Sequence, residues 1–182
     1  EDLQRRLTDE VIEDAVRRMP PPALAASGDW IIENLKARRA QLPEAAAAYF
    51  ALINNTMEIV GSAENELFTV TRLDDRTTEV AMYQLDDDGE PEFEAFRRTF
   101  HADETNEVHL YGLDGLDRFV FDGPGTKGVT VRAMGGFGED VFVQEGPGSR
   151  ATYIYDTPDE NDITVTRPTR VHYRTNPESQ LY

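Results

Sequence analysis

The sequence predicts an α+β chain: N-terminal helices, then an antiparallel β-meander, then a short, β-roll-like parallel β-solenoid of about three coils. Three observations predict it. Apolar residues recur at helical spacing up to about residue 61. The period then changes to two. Finally, pairs of short apolar triplets recur about every 22 residues from residue 106 onward. The segments expected on this basis are a helical subdomain (1–61), a meander (62–105) and solenoid-like repeats (106–182).

In the first segment Thr8 suits an N-cap, with Asp9 and Glu10 in the first turn. Val11, Ile12, Ala15, Val16 and Met19 fall on one face. Pro20, Pro21 and Pro22 stop that helix. Ser27 can cap a second one, with Trp30, Ile31 and Leu35 turned inward. Pro43 suits the first position of a third, which runs through the alanine block to about Val60 and ends at Gly61. Beyond it, Leu67 to Leu73, Thr78 to Leu85 and Phe93 to Phe100 read as strands. They are joined by Asp74-Asp75-Arg76 and Asp86-Asp87-Asp88-Gly89, short turns that suit a meander.

The repeats follow. Val108-His109-Leu110 precedes Phe119-Val120-Phe121; Val129-Thr130-Val131 precedes Val141-Phe142-Val143; Thr152-Tyr153-Ile154 precedes Ile163-Thr164-Val165. Val171-His172-Tyr173 opens a fourth unit. Even spacing with two strands per unit suits stacked coils that share a core; an antiparallel sandwich with even turns is the alternative.

Composition bounds the function. The 182 residues carry 18 basic and 35 acidic side chains, a net charge of −17. Such a surface repels phosphate backbones, so no nucleic-acid partner is expected. No apolar run approaches 18 residues, so no membrane insertion by this segment is expected. The absence of cysteine excludes disulfides and thiolate chemistry. Only Lys36 and Lys127 are lysines; acid excess with few lysines suits a high-salt environment, and equally an arginine-preferring codon usage. The chain starts at Glu1 without methionine and reads as a piece of a longer protein.

The sharpest motif is Gly135-Gly136-Phe137-Gly138-Glu139-Asp140-Val141-Phe142. It matches G-G-x-G-x-D-x-U and so resembles the calcium-binding repeat of RTX-type β-rolls. One coil earlier, Gly112-Leu113-Asp114-Gly115-Leu116-Asp117-Arg118-Phe119 matches except at Leu113. One coil later Asp162 falls in step, but Thr157 and Glu160 replace the glycines. Glycine reaches positive φ and turns carbonyl oxygens inward, and Ca²⁺ takes six to eight hard oxygens. The candidate metal ligands are therefore Asp117 and Asp140, with backbone carbonyls of the turns Gly112–Asp117 and Gly135–Asp140. The alternative is a metal-free turn whose aspartate accepts backbone N–H groups. The Gly123-Pro124-Gly125 and Gly146-Pro147-Gly148 turns read as metal-free. Any calcium here is expected to be structural.

Other chemistry finds no support. The Asp86–Gly89 run fails as an EF-hand because Gln84 and Ala95 occupy its end positions. His101, His109 and His172 are scattered, without zinc spacing. No G-x-S-x-G, P-loop or dinucleotide fingerprint occurs. No catalytic and no cofactor-binding residue is assigned.

The stretches LTDEVIEDAVRRMP, ENLKARRAQLPEAA, ELFTVTRL, VHLYGLDGLDRFVF and VRAMGGFGEDVFV together resemble a segment of large bacterial outer-membrane proteins. Those proteins carry a calcineurin-like metallophosphoesterase domain upstream and a surface-antigen-type β-barrel downstream. The resemblance runs from about Leu7 to Asp156. It implies a non-catalytic connecting module, periplasmic or outer-membrane-associated, whose partners are neighbouring domains of the same chain. It carries no catalytic residue over. An envelope glycan- or peptide-binding module, lined by Tyr111, Tyr153, Tyr155 and Tyr173, is the alternative, and a carbohydrate-active enzyme stands further off.

Overall fold

A computed structural model describes residues 2–157 and 161–173, so the expected end of the third segment, residues 174–182, lies outside the described residues. The protein is α+β; among the described residues helices come first and then eleven strands in two sheets. It divides into two compact units, Glu1–Leu52 and Ile53–Tyr182. Among the described residues no helix is long and apolar enough to cross a membrane.

The first unit holds α1 (Asp2–Arg6), α2 (Asp9–Arg17) and most of α3 (Pro21–Asn54). Thr8 caps α2 as expected, its side chain accepting from Val11 N–H, and Ile12 and Val16 are buried. The proline run ends α2, but it also begins α3. Pro20 supplies the carbonyl that accepts from Ala23 and Leu24, and the first helical positions need no amide hydrogen. The expected second and third helices are therefore one. Ser27 does not cap; its hydroxyl donates to the Ala23 carbonyl inside the helix. Pro43 lies within α3 and cannot donate to the Arg39 carbonyl four residues back; the Gln4 side chain donates to that carbonyl instead, at 3.3 Å. Trp30 and Leu35 are exposed, not inward. Polar links join α2 to α3: Lys36 reaches Glu13 at 2.7 Å and Asp9 at 3.1 Å, and Arg39 reaches Asp9 at 2.6 Å.

The helix does not run to Gly61. Thr56–Val60 is a strand, β1. Its Met57 and Ile59 face the core while Thr56 and Glu58 face out, and every residue from Thr56 to Val60 pairs in parallel with Glu107 to Tyr111. Partners remote in sequence thus override the local helical pattern.

The remaining strands are β2 (Glu66–Arg72), β3 (Thr77–Leu85), β4 (Pro91–His101), β5 (Glu107–Leu113), β6 (Arg118–Asp122), β7 (Thr130–Gly136), β8 (Val141–Gln144), β9 (Thr152–Asp156), β10 (Asp162–Thr164) and β11 (Arg170–Tyr173). One sheet has the order β1-β5-β7-β9-β11 and is parallel throughout. The other has the order β10-β8-β6-β2-β3-β4. It is parallel from β10 to β2 and antiparallel from β2 to β4. The chain alternates between the sheets: β1 to β2, β5 to β6, β7 to β8 and β9 to β10. We call each such pair a level.

The expected meander exists as β2-β3-β4, but β2 is also the second strand of the first level. β3 and β4 form a hairpin set into that level. The registers also revise the repeat spacing. Val108 pairs with Val131 and Phe119 with Phe142, an offset of 23 in both sheets. Val131 pairs with Thr152 and Val141 with Asp162, an offset of 21 in both. Equal offsets in the two sheets mean that the forward turns of these levels have the same length.

Between the sheets the core is built in columns. Phe68, Phe119 and Phe142 stack in register, with ring centroids 4.7 Å apart at each step. Facing them, Ile59, Leu110, Ala133 and Ile154 form the inner column of the parallel sheet.

Candidate functional site

Within each level, the turn from the first strand to the second brings two columns together. One contains Gly61, Gly112, Gly135 and Asp156, the residues following Val60, Tyr111, Met134 and Tyr155 in the paired registers. The other contains Glu66, Asp117, Asp140 and Asn161, the residues preceding the paired Leu67, Arg118, Val141 and Asp162. Glycine is needed in the first column because a β-carbon at Gly112 or Gly135 would run into the aspartate of its own turn.

The second column is a hydrogen-bond ladder between levels. Asp117 Oδ1 accepts from Glu66 N–H at 2.8 Å, Asp140 Oδ1 from Asp117 N–H at 2.9 Å, and Asn161 Oδ1 from Asp140 N–H at 2.6 Å. Each acid thus satisfies an amide of the level before it. Asp156 Oδ1 accepts from its neighbour Thr157 N–H at 2.7 Å. Asp117, Asp140 and Asp156 are at most 1% exposed. Their second oxygens, Oδ2, are buried without any hydrogen-bond partner.

Desolvation dominates their titration. It pushes the Asp117 carboxyl strongly upward, assisted by the neighbouring Asp140 and Glu66 and opposed by the Glu66 amide. Burial likewise raises Asp140 to about 6 and Asp156 to about 7, each opposed by its backbone hydrogen bond. Asp140 adds repulsion at Asp156.

The structure brings Asp117 and Asp140 into adjacent levels of one column, as the motif requires. It does not bring Asp162 there. Asp162 is exposed and pairs with Val141, and Asn161 holds the position in step. The 21-residue offset would have shown this. Asp156 stands where the three preceding levels have glycine, a substitution visible only once the registers are known. Leu113, the mismatch to the motif, adopts φ +84 and pairs with Gly136 at φ +110, so the turn keeps its path without glycine. Among the described residues no three His, Asp or Glu side chains converge as a metal-holding group. The oxygens at hand are carboxylate pairs and turn carbonyls. A β-carbon at Gly112, for example, would meet both Asp117 Oδ2 and the Gly135 carbonyl oxygen. That hard-oxygen set fits calcium by type.

At the other end of the strands sits a residue the sequence reading missed. Arg72, 3% exposed, closes β2. It donates to the carbonyls of Lys127 (2.9 Å), Val129 (3.0 Å) and Ala151 (3.0 Å), and to Thr152 Oγ1 (3.0 Å). It thereby ties the return turns of two further levels to the first. Burial lowers its pKa to about 10, opposed by Asp75.

The tyrosines face away from the core of the parallel sheet. Tyr155 stacks on His172 at 5.0 Å, while Arg132 and Arg170 lie over the Tyr153 ring at 4.9 and 5.2 Å. Glu107 bridges His109 and Arg132, each at 2.8 Å.

Comparison with protein families, with curated proteins and with solved structures found no match.

Proposed function

We propose that this chain is a non-catalytic connecting module of a larger cell-envelope protein, and that its β unit is a short parallel solenoid. The observation that carries the reading is the ladder at the turns. The most concentrated set of buried polar side chains is engaged in joining one level to the next, as in an element whose task is to hold its own shape. Calcium enters this reading as a structural ion of the carboxylate column. The envelope setting, periplasmic or outer-membrane-associated, rests on the resemblance of the stretches between Leu7 and Asp156. The partners are then neighbouring domains of the same polypeptide.

The glycan- or peptide-binding reading draws on the outward rows of Tyr111, Tyr153, Tyr155 and Tyr173. Tyr153 and Tyr155 stack with His172 and the arginines, so they offer ring edges more than open faces. One experiment separates the two. The purified chain is presented to an array of envelope glycans and to the adjoining segments of its own gene product. Binding to those segments with none to glycans supports the connecting role; glycan binding abolished by Tyr155→Ala refutes it.

A further inference from the structure

We infer that Asp140 and Asp156 together form the site for one hard divalent cation of the calcium class, placed where the glycine column is interrupted. The inference rests on the stacked-level reading above and specifies its ion site. It differs from the Asp117–Asp140 pair that the motif suggests.

The geometry is specific. A β-carbon at Gly135 would touch Asp140 Oδ2 and Asp156 Oδ2 alike, so both oxygens border one glycine-sized space. Both carboxylates are 0% exposed, and neither Oδ2 has a donor. Acceptor faces acceptor, and something positive must lie between them. Among the described residues no Arg, Lys or His bonds to either Oδ2. A shared proton would leave one buried negative charge uncompensated; a divalent cation offsets both. Each Oδ1 already accepts a backbone N–H, which favours the ionised form that a metal requires. Two carboxylates fill part of a shell of six to eight, leaving the remainder to carbonyls and water.

The test is calorimetric titration of the full 182-residue chain with CaCl₂ after chelator treatment, run at pH 7.5 with thermal melts alongside. Wild type is expected to bind one Ca²⁺ per chain. Its melting temperature should rise by roughly 5–10 °C at about a hundred times Kd, and the rise should persist in molar NaCl. Asp156→Gly restores the glycine of the preceding levels; it should fold and lose the titration. Asp117→Asn should keep it. The inference is overturned if wild type shows neither heat nor shift, if NaCl alone reproduces the shift, or if Asp156→Gly binds like wild type while Asp117→Asn does not. None of these outcomes depends on the glycan and domain-binding assay, so the connecting role can stand when the cation site falls, and the reverse.

Discussion

Replacing Arg72 by methionine should cost the β unit about 4 kcal/mol. The guanidinium makes four hydrogen bonds of 2.9–3.0 Å to carbonyl and hydroxyl oxygens in the return turns. Bonds from a charged donor contribute roughly 1.5–3 kcal/mol each, so four at the lower bound give about 6 kcal/mol. Against this stands the burial of the charge. A pKa lowered from 12.5 to about 10 corresponds to about 3 kcal/mol against the ionised form. Methionine abolishes both effects and also removes the Arg72 donor from the Lys127 and Val129 carbonyls, which adds about 1 kcal/mol or more, whereas the Ala151 carbonyl keeps the Val131 N–H at 2.7 Å. The hydrogen bonds therefore outweigh the desolvation. A loss near 4 kcal/mol is a large part of the roughly 5–15 kcal/mol that keeps a domain folded. It should lower the melting temperature by about 10–15 °C. Urea unfolding followed by the far-ultraviolet β signal measures it, with Arg97→Met on the exposed hairpin as the control expected to lose far less, because solvent screens exposed ion pairs. A loss at Arg72 no larger than that of the control would mean water satisfies the turn carbonyls, and the stapling argument would be wrong.

Other perturbations test other layers of the fold. Phe119→Ala, in the middle of the stacked ring column, should destabilise by about 3–5 kcal/mol, whereas Phe93→Ala, 62% exposed on β4, should stay within about 0.5 kcal/mol; equal losses in urea unfolding would contradict the core assignment. Gly138→Ala combines φ +119 with a clash on the Gly115 carbonyl, while Gly89→Ala at φ +79 meets open space. The first should cost at least about 2 kcal/mol more than the second in the same measurement. Acid titration should reveal Glu107. Hydrogen bonding from Arg132, then from His109, holds its pKa near 2, below the ordinary 4.5. The folded state therefore binds this proton less readily than the unfolded state, and the stabilisation is full above pH 4.5 and fades as pH falls toward 2. With about a third of the side chain exposed, screening limits it to about 1 kcal/mol. Melts of wild type and Glu107→Gln from pH 5 to 2 should converge; parallel profiles would deny the interaction.

Much of this architecture is legible in the residues because its signals are local. Thr8 followed by two acids, alternating Leu67 to Leu73, and the Gly135–Asp140 turn each depend on neighbours within a few positions. What was not legible depends on remote partners. Thr56–Val60 follows an alanine-rich helix and lacks a turn signal of its own, and only its pairing with Glu107–Tyr111 makes it a strand. Because β1 was hidden, the first level was hidden too, and the β3–β4 hairpin set into it stretches the first offset to 51 residues (Leu67 pairs with Arg118) against 23 for the next. Asp162 continues the acidic series by residue type, whereas the 21-residue register puts Asn161 in the column. Arg72 carried no signal at all: one arginine among many, distinguished only by turns that lie far along the chain.

The two turn columns solve opposite problems with opposite means. The return turns present carbonyl oxygens to a covalently fixed cation, Arg72, which spans three levels and meets its acceptors at ordinary hydrogen-bond distances. The forward turns present carboxylates. Amides satisfy one oxygen of each, and the other is left bare. Asn161 ends the ladder with a neutral side chain, so its far end adds no charge; the bare carboxylate oxygens belong to Asp117, Asp140 and Asp156. A protein-supplied charge holds one side at any solution composition. On the proposed cation site the other side takes its charge from solution, so its stability should follow cation concentration while the Arg72 side does not. Combining Arg72→Met with Asp156→Gly tests that independence. Their stability losses in saturating calcium should add within about 0.5 kcal/mol, as for separated sites without shared partners. Strong coupling would show that the two columns act through one another.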